Sequence, residues 1–523
     1  VRAFTAQGRR VGPVTSDAQG RYSLAVPRGR VVRVEFSGLP DGFEPGAVGT
    51  GAGPAVQIAK DPAADVNLAV NRPGDYCQDN PRLATNCYVY GKQFGDGQFA
   101  GEPALVSSAY EASGSDMPTK LAAARDVGTT WGLAWDRTRS RLYSAAYAKR
   151  HTGFGPSGTG AIYSTDPETA TTSLLFDVNA IASGYAGADP HPVGNSLAAG
   201  TGVNTWHHDV NTFTAVGKIA LGDIDMADDG GTLFAVNLAA RELLEIPMGD
   251  TIDPAAVRRT AIPVPTGVPA ADARPFAITY HRGAVYVGLV NSAESSQDPA
   301  DLHAYVYRFA PGGGFSGPVF DFPLDYTRAC AVTFQCATGD TARWTPWSAA
   351  FTIGEPSSNA GFDPRWKPQP MLTDIEFAPD GSMLLGLRDR FGDQIGNFQG
   401  TDDLNDATSL LEVSPVGDVL RAAPLSGGGW GLESNGASPA GASASFTSAG
   451  GADTNHGPDG GEFYYQDDLA GAFDETALGG LAQVPGFGSL AQTQNDPNDV
   501  RQAGIATLSH ADGRTVTRYT VFE

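Results

Sequence analysis

Acidic residues at repeated positions are the strongest candidates for chemistry in this sequence. Asp223 and Asp374 each precede an aliphatic residue in two similar segments, Asp-Ile-Asp-Met and Asp-Ile-Glu-Phe. Asp225 lies two residues after Asp223, and Asp389 and Asp393 follow the second segment. Because carboxylate oxygens suit calcium better than zinc, we expect ligands of a calcium ion among these five residues. The alternative is that they cap turns or remain solvated.

The sequence contains none of the common catalytic motifs. A G-x-S-x-G elbow, an H-E-x-x-H helix, a phosphate-binding Gly-Lys-Ser/Thr loop and a dinucleotide fingerprint are all absent. We therefore predict no catalytic residues and no enzyme activity. The alternative is a propeller enzyme, a lyase or hydrolase of polysaccharide or peptide, whose residues come from separate blades.

The four cysteines fall into two closely spaced pairs, Cys77 with Cys87 and Cys330 with Cys336. Neither spacing matches a zinc knuckle or a redox motif, so two local disulfides are expected. Such bonds persist in oxidising compartments, which predicts a secreted or cell-surface protein. Four buried thiols in a cytosolic protein are the alternative.

Charge and hydropathy exclude several classes of partner. The 523-residue chain carries 58 acidic and 35 basic residues, a net charge of −23 that repels nucleic acid and anionic lipid headgroups. No run of 18 apolar residues is present, so we expect no membrane insertion.

The chain starts at Val1 within an expected strand and without Met, which predicts a piece of a longer protein.

A repeated pair of strands must position the acidic residues. From about residue 124 an aliphatic anchor, a polar turn and a second apolar strand recur, as in the inner strands of a propeller blade. Five copies are present, with anchors at Leu133, Ile224, Ile278, Ile375 and Leu481. In a propeller, Asp223 and Asp374 would approach the central axis from the same end.

The predicted fold class is all-β, with a small N-terminal antiparallel β-sandwich followed by a β-propeller with long loop insertions. We place the sandwich at 1–72, a disulfide-containing connector at 73–123 and the propeller at 124–523. Uneven anchor spacing allows five to seven blades, and six is the expected number; an open sandwich is the alternative fold. The one modest helical pattern covers 116–124.

Five segments carry a resemblance to a known family: 71–91, 216–238, 374–394, 457–468 and 475–488. The chain resembles bacterial cell-surface proteins with serine-aspartate-repeat B-type (SdrD B-like) domains. The resemblance implies a B-type or carboxypeptidase-regulatory-like sandwich before a propeller-like region. Cys77 and Cys87 match the family's paired cysteines, and 387–393 and 460–463 match recurrent phrases of unassigned role.

Three functions fit the sequence. The first is an extracellular structural or adhesion protein whose propeller binds a protein or a glycan. The second is a subunit of a homopolymeric surface filament or layer, assembled by strand addition. The third is the propeller enzyme described above.

Overall fold

The computed structural model describes residues 1–40, 43–46, 53–73, 78–197, 205–328, 343–356, 363–413, 415–425, 428–439, 456–466, 475–495 and 503–521. The chain divides into two compact units, residues 1–79 with 484–487 and residues 80–483 with 488–523.

The first unit is a small antiparallel β-structure. Strands β1 (Arg2–Thr5), β2 (Arg10–Val11), β3 (Val31–Glu35) and β5 (Val56–Lys60) form a sheet in the order β2-β1-β3-β5. A second sheet pairs β4 (Glu44–Pro45) with β6 (Val70–Asn71). Ala3, Val32 and Val34 form the buried core, and partly buried aliphatic and aromatic side chains pack on it.

The second unit is a propeller whose first blades follow one meander pattern. Blade 1 contains β10 (Thr130–Asp136), β11 (Arg141–Ala146), β12 (Ala161–Asp166) and β13 (Thr171–Asp177). Blade 2 contains β14 (Leu221–Met226), β15 (Thr232–Asn237), β16 (Glu242–Pro247) and β17 (Arg258–Ala261). Blade 3 contains β18 (Ala273–His281), β19 (Ala284–Asn291), β20 (His303–Ala310) and β21 (Gly314–Pro323). All neighbouring strands within these blades are antiparallel.

The later blades continue the pattern. Blade 4 contains β24 (Pro370–Phe377), β25 (Met383–Asp389), β28 (Asp418–Pro424) and β29 (Trp430–Leu432). Blade 5 contains β30 (Ala477–Ala482), β31 (Ser489–Asn495), β32 (Ala503–Ser509) and β33 (Thr515–Thr520). The five predicted anchors lie on β10, β14, β18, β24 and β30, and these strands pack against one another in that order.

A three-stranded sheet completes the ring as blade 6. It consists of β7 (Arg82–Asn86), β8 (Pro103–Ala109) and β9 (Thr119–Ala123). The Tyr110 hydroxyl donates to the carbonyl of Ser489 in blade 5 at 2.9 Å, and the Asn86 amide donates to the carbonyl of Trp131 in blade 1 at 2.7 Å. Over the described residues the ring therefore has six blades, and the predicted fold class is confirmed.

The region 73–123 is the main difference from the sequence-based expectation. It contains the whole of blade 6, where we expected only a connector. The helix expected at 116–124 is wrong as well, because most of that segment pairs with β8 as strand β9. Only the short helix α1 (Ala124–Val127) follows. Edge pairing in the ring overrides a weak local helical pattern.

Long connections gather at one end of the ring, which we call the insertion face. Because the four strands of a blade alternate in direction, the last strand ends at the end of the ring where the first strand begins. The connection from one blade to the next therefore lies at that end. The long connections on this face are 147–160, 178–220, 324–369, 390–417 and 433–476. They carry α2 (Thr212–Ala215), α3 (Arg390–Ile395) and a sheet of β22 (Glu355–Pro356), β23 (Asp363–Trp366), β27 (Leu410–Glu412) and β26 (Asn397–Gly400).

The innermost strand of each four-stranded blade contains a register shift. Each register shift lies just before the anchor residue of its strand. The shifts lie between Thr130 and Leu133 in blade 1, between Leu221 and Ile224 in blade 2, between Pro275 and Ile278 in blade 3, between Leu372 and Asp374 in blade 4, and between Ala477 and Leu481 in blade 5. A bulge changes the direction of the neighbouring side chains, so the side chains beside each anchor are rotated relative to those at the start of the strand.

Within the described ranges no helix has the length and apolarity of a membrane span.

Candidate functional site

Three predicted metal ligands, Asp223, Asp225 and Asp374, lie on innermost strands beside the ring axis. Asp223 and Asp225 flank the anchor Ile224 on β14, and Asp374 precedes the anchor of β24. Burial raises the pKa of Asp223, and the charges of Asp374 and Asp225 raise it further. The charges of these three carboxylates therefore influence one another, and their convergence on one metal ion stays a prediction.

These carboxylates join neighbouring blades. Asp223 Oδ2 accepts from the backbone N–H of Ile278 at 3.3 Å, and Asp225 Oδ2 accepts from that of Tyr280 at 2.6 Å. Asp374 makes the equivalent contact between blades 4 and 5, because its Oδ2 accepts from the backbone N–H of Leu481 at 2.7 Å. Blades 2 and 4 thus carry the acceptors, and blades 3 and 5 supply the donors.

A fourth axial carboxylate, Glu376, was missed at the sequence level. It stands two residues after Asp374, at the repeat position that Asp225 occupies in blade 2, and this equivalence could have found it. Burial raises the pKa of Asp225 to about 6 and that of Asp374 to about 7, and it raises that of Glu376 well above its usual value. Among the described residues, the one group of three carboxylates that converges for a metal does not include these four. Calcium at the axis stays a prediction.

Asp389 and Asp393 lie on the insertion face, where Asp389 precedes α3 and Asp393 lies within it. Asp389 Oδ1 accepts from the backbone N–H groups of Phe391 and Gln369, both at 2.8 Å, and so caps the helix. Burial raises the pKa of Asp389 to about 7. Asp389 therefore fixes the beginning of α3 against the segment that precedes β24.

Asp393 is the counter-ion of a buried charge cluster. Arg388 binds it at two points, Nη2 to Oδ1 and Nε to Oδ2, both at 2.7 Å. Lys149 Nζ donates to Oδ1 and the Tyr147 hydroxyl to Oδ2, both at 2.8 Å. Burial opposes ionisation, but the charges of Arg388 and Lys149 hold the pKa of Asp393 well below its usual range. A metal ion here would have to displace one of these cations.

Aromatic rings cover the charge cluster. The Arg388 guanidinium lies 4.9 Å from the ring centre of Trp131 and 5.6 Å from that of Tyr88. Lys149 Nζ lies 5.3 Å from the ring centre of Tyr88. Tyr88 and Trp131 are partly exposed, whereas the charged groups beneath are buried. We call Tyr88, Trp131, Tyr147, Lys149, Arg388 and Asp393 the axial cluster.

Trp131 places this cluster at the centre of the ring. Its indole N–H donates to the carbonyl of Thr373 in blade 4 at 3.4 Å. Its ring meets that of Phe276 in blade 3 edge to face, with centroids 6.0 Å apart. A side chain of blade 1 that contacts blades 3 and 4 must cross the axis.

The phrase 387–393 has a structural role at this site. Arg388 and Asp393 form the ion pair, and Asp389 caps α3, as described above. Arg390, fully buried, donates to the carbonyl of Val216 at 2.8 Å and to Gln369 Oε1 at 2.6 Å. Gly392 has no room for a side chain, because a Cβ atom would lie 2.3 Å from Pro415 Cα. The phrase therefore anchors the insertions around the axial cluster.

A second cluster consists of Asp418, Glu462 and Glu475, which have buried carboxylates with oxygens within 4.8 Å of one another. Asp418 begins β28, and Glu475 precedes β30. Glu462 belongs to the phrase 460–463, whose role was unassigned. No spacing or motif links the three residues, so sequence reasoning missed the group.

The predicted disulfides are not tested by the structure. Cys77, Cys330 and Cys336 lie outside the described residues. Cys87 lies within the described residues, and burial raises its pKa to about 12. The two disulfides stay predictions.

The chain is similar to proteins of Dictyostelium discoideum. Colossin-A is 28% identical over 467 residues, covering 88% of this chain and 4% of the relative. Colossin-D is 28% identical over 457 residues, covering 84% of this chain and 43% of the relative. The chain thus spans less than half the length of each. No family model matches the chain, and the resemblance to SdrD B-like proteins stays a prediction.

Solved structures with similarity to the chain include two bacterial proteins. Regucalcin from Agrobacterium tumefaciens, a calcium-binding protein, has a TM-score of 0.31 and 10% identity, covering 75% of this chain and 74% of its own. A putative 6-phosphogluconolactonase from Bacteroides uniformis has a TM-score of 0.33 and 11% identity, covering 84% and 95%.

Proposed function

We propose that this chain is an extracellular binding module whose propeller binds a glycan at the axial cluster. The observation that carries the proposal is that Tyr88 and Trp131 are partly exposed above a buried cluster in which Arg388 and Lys149 share the Asp393 carboxylate. Binding sites typically combine aromatic surface with a few fixed polar groups. The close spacing of the paired cysteines supports the extracellular location, because disulfides persist in oxidising compartments.

The charged groups of the cluster are engaged with one another, which favours recognition over chemistry. Asp393 receives four hydrogen bonds from three side chains, so neither of its oxygens is available as a base. The third nitrogen of the Arg388 guanidinium, Nη1, donates to the carbonyl of Leu478 at 2.8 Å. Fixed aromatic rings offer contact area at a low cost in conformational entropy. A sugar ring has a flat apolar face that can stack on such rings.

Binding to a glycan array tests the proposal. Tyr88→Ala and Trp131→Ala should each weaken binding at least tenfold, because each removes one ring of the platform. Trp135→Ala is the matched control, since Trp135 lies on the same strand, β10, and is 49% exposed. Binding to no glycan, or equal loss in all three variants, would refute the axial site. If the axial cluster binds a protein and no glycan, the proposed glycan ligand is wrong.

Assembly into a filament or layer is a second candidate function, favoured by the edge strand β5. Strand β5 is the edge strand of the sheet with the order β2-β1-β3-β5. On one face of this strand, Val56 is 50% exposed and Ile58 is 71% exposed. An exposed apolar edge strand is a template for pairing with another chain. Electron microscopy should then show polymers of the wild type and none of Ile58→Lys. Monomers in both samples would exclude this function.

A further inference from the structure

We propose that Asp418, Glu462 and Glu475 bind a calcium ion, at a place separate from the axial cluster. The three residues are 1%, 2% and 0% exposed, and their carboxylate oxygens lie within 4.8 Å of one another. Three buried carboxylates at this separation repel one another and lack water. They need protons or a bound cation.

An unsatisfied oxygen of Asp418 indicates the cation. Its Oδ2 accepts from the Tyr326 hydroxyl at 2.5 Å, whereas its Oδ1 is buried and has no hydrogen-bond partner. Buried polar atoms almost always have a partner. A carboxylate that faces two others and keeps one oxygen unsatisfied has the form of a metal ligand.

The charges around the cluster leave room for a divalent ion. Arg328 is 3% exposed, donates to the carbonyl of Val416 at 2.9 Å, and lies near enough to lower the pKa of Asp418. His456 also lowers that pKa, while burial raises it to about 6. Three carboxylates that face one another beside Arg328 and His456 favour a bound cation over free negative charges.

The ligand atoms favour calcium over zinc and magnesium. All three residues offer oxygen, which disfavours zinc. Magnesium prefers to keep several water molecules, whereas calcium accepts six to eight protein oxygens in flexible geometry. Because the three side chains are almost fully buried, calcium is the better match. The ion would join the start of β28, the connection 433–476 and the start of β30.

Terbium luminescence gives a direct test, because terbium replaces calcium and is excited by a nearby tryptophan. The Trp344 indole N–H donates to the Tyr326 hydroxyl at 3.3 Å, and that hydroxyl donates to Asp418. After chelator treatment of the full chain, added terbium should luminesce on tryptophan excitation, and calcium should quench the signal by competition. Trp344→Phe should lose most of the luminescence but keep the rise in melting temperature that calcium produces.

Substitutions locate the ion. Asp418→Asn and Glu462→Gln should each weaken calcium binding at least 100-fold, whereas Asp459→Asn should leave it unchanged. Asp459 is the matched control, because it is an exposed acid on the same connection as Glu462. If a ligand variant does not fold, the wild-type luminescence and its loss in Trp344→Phe decide the question.

Two results would overturn the proposal. One is a wild type that shows neither luminescence nor a calcium-dependent melting temperature, which would mean that protons neutralise the cluster. The other is full binding in Asp418→Asn with loss in Asp374→Asn, which would place calcium at the axis. Neither result bears on glycan binding, so this proposal and the proposed function fail independently.

Discussion

The Arg388 guanidinium and the Asp393 carboxylate form a two-point ion pair at the centre of the insertion face, with both N–O distances 2.7 Å. The side chain of Arg388 is 2% exposed and that of Asp393 is fully buried. Lys149 shares the same carboxylate. One negative group thus serves two buried cations, so its removal should affect the whole face.

Asp393→Asn should destabilise the protein by about 3–5 kcal/mol, the usual cost of leaving buried charges without their partner. Urea-induced unfolding measures this change. Asp96→Asn is the control, because Asp96 pairs with Lys92 at 2.7 Å on the surface, and it should cause no measurable change. Equal stability of Asp393→Asn and wild type would show that the ion pair does not hold the insertions.

Asp374→Asn should change the dependence of stability on pH. The Asp374 carboxyl ionises near pH 3.9 in an unfolded chain, and burial raises its pKa to about 7 in the folded one. Between these values the folded state binds more protons, so this group's contribution to stability is lost as the pH rises through 7. The amide does not titrate and can still accept from the Leu481 N–H.

The melting temperature of Asp374→Asn should therefore increase relative to that of the wild type between pH 5 and pH 8. Thermal unfolding of both proteins at the two pH values measures this difference. An identical difference at both pH values would mean that Asp374 has the same pKa in the folded and unfolded chains.

Gly392→Ala should destabilise the protein by about 1–3 kcal/mol, because the added Cβ would overlap Pro415. The free energy of unfolding in urea measures the effect. Gly317→Ala is the matched control, since a Cβ there meets no heavy atom within 4 Å, and its effect should stay within about 0.5 kcal/mol. Similar effects of the two substitutions would contradict the close packing of α3 on Pro415.

Much of the ring could be predicted from the sequence. The anchors Leu133, Ile224, Ile278, Ile375 and Leu481 lie on the five predicted innermost strands, because alternation and tight turns are local signals. Blade 6 was missed because its three strands lack this signature and lie next to a weak helical pattern. The axial placement of Asp223 and Asp374 followed from their equivalent positions in the repeat.

The sequence by itself determined the all-β class, the inner strand pairs and the placement of the repeated acids on innermost strands, since each depends on neighbours along the chain. Only the tertiary structure decided what the carboxylates contact. Asp393 meets Lys149, and Asp418 meets Glu462 and Glu475, across blades and long insertions. Such contacts are set by the packing of blades and loops, and no spacing along the chain encodes them.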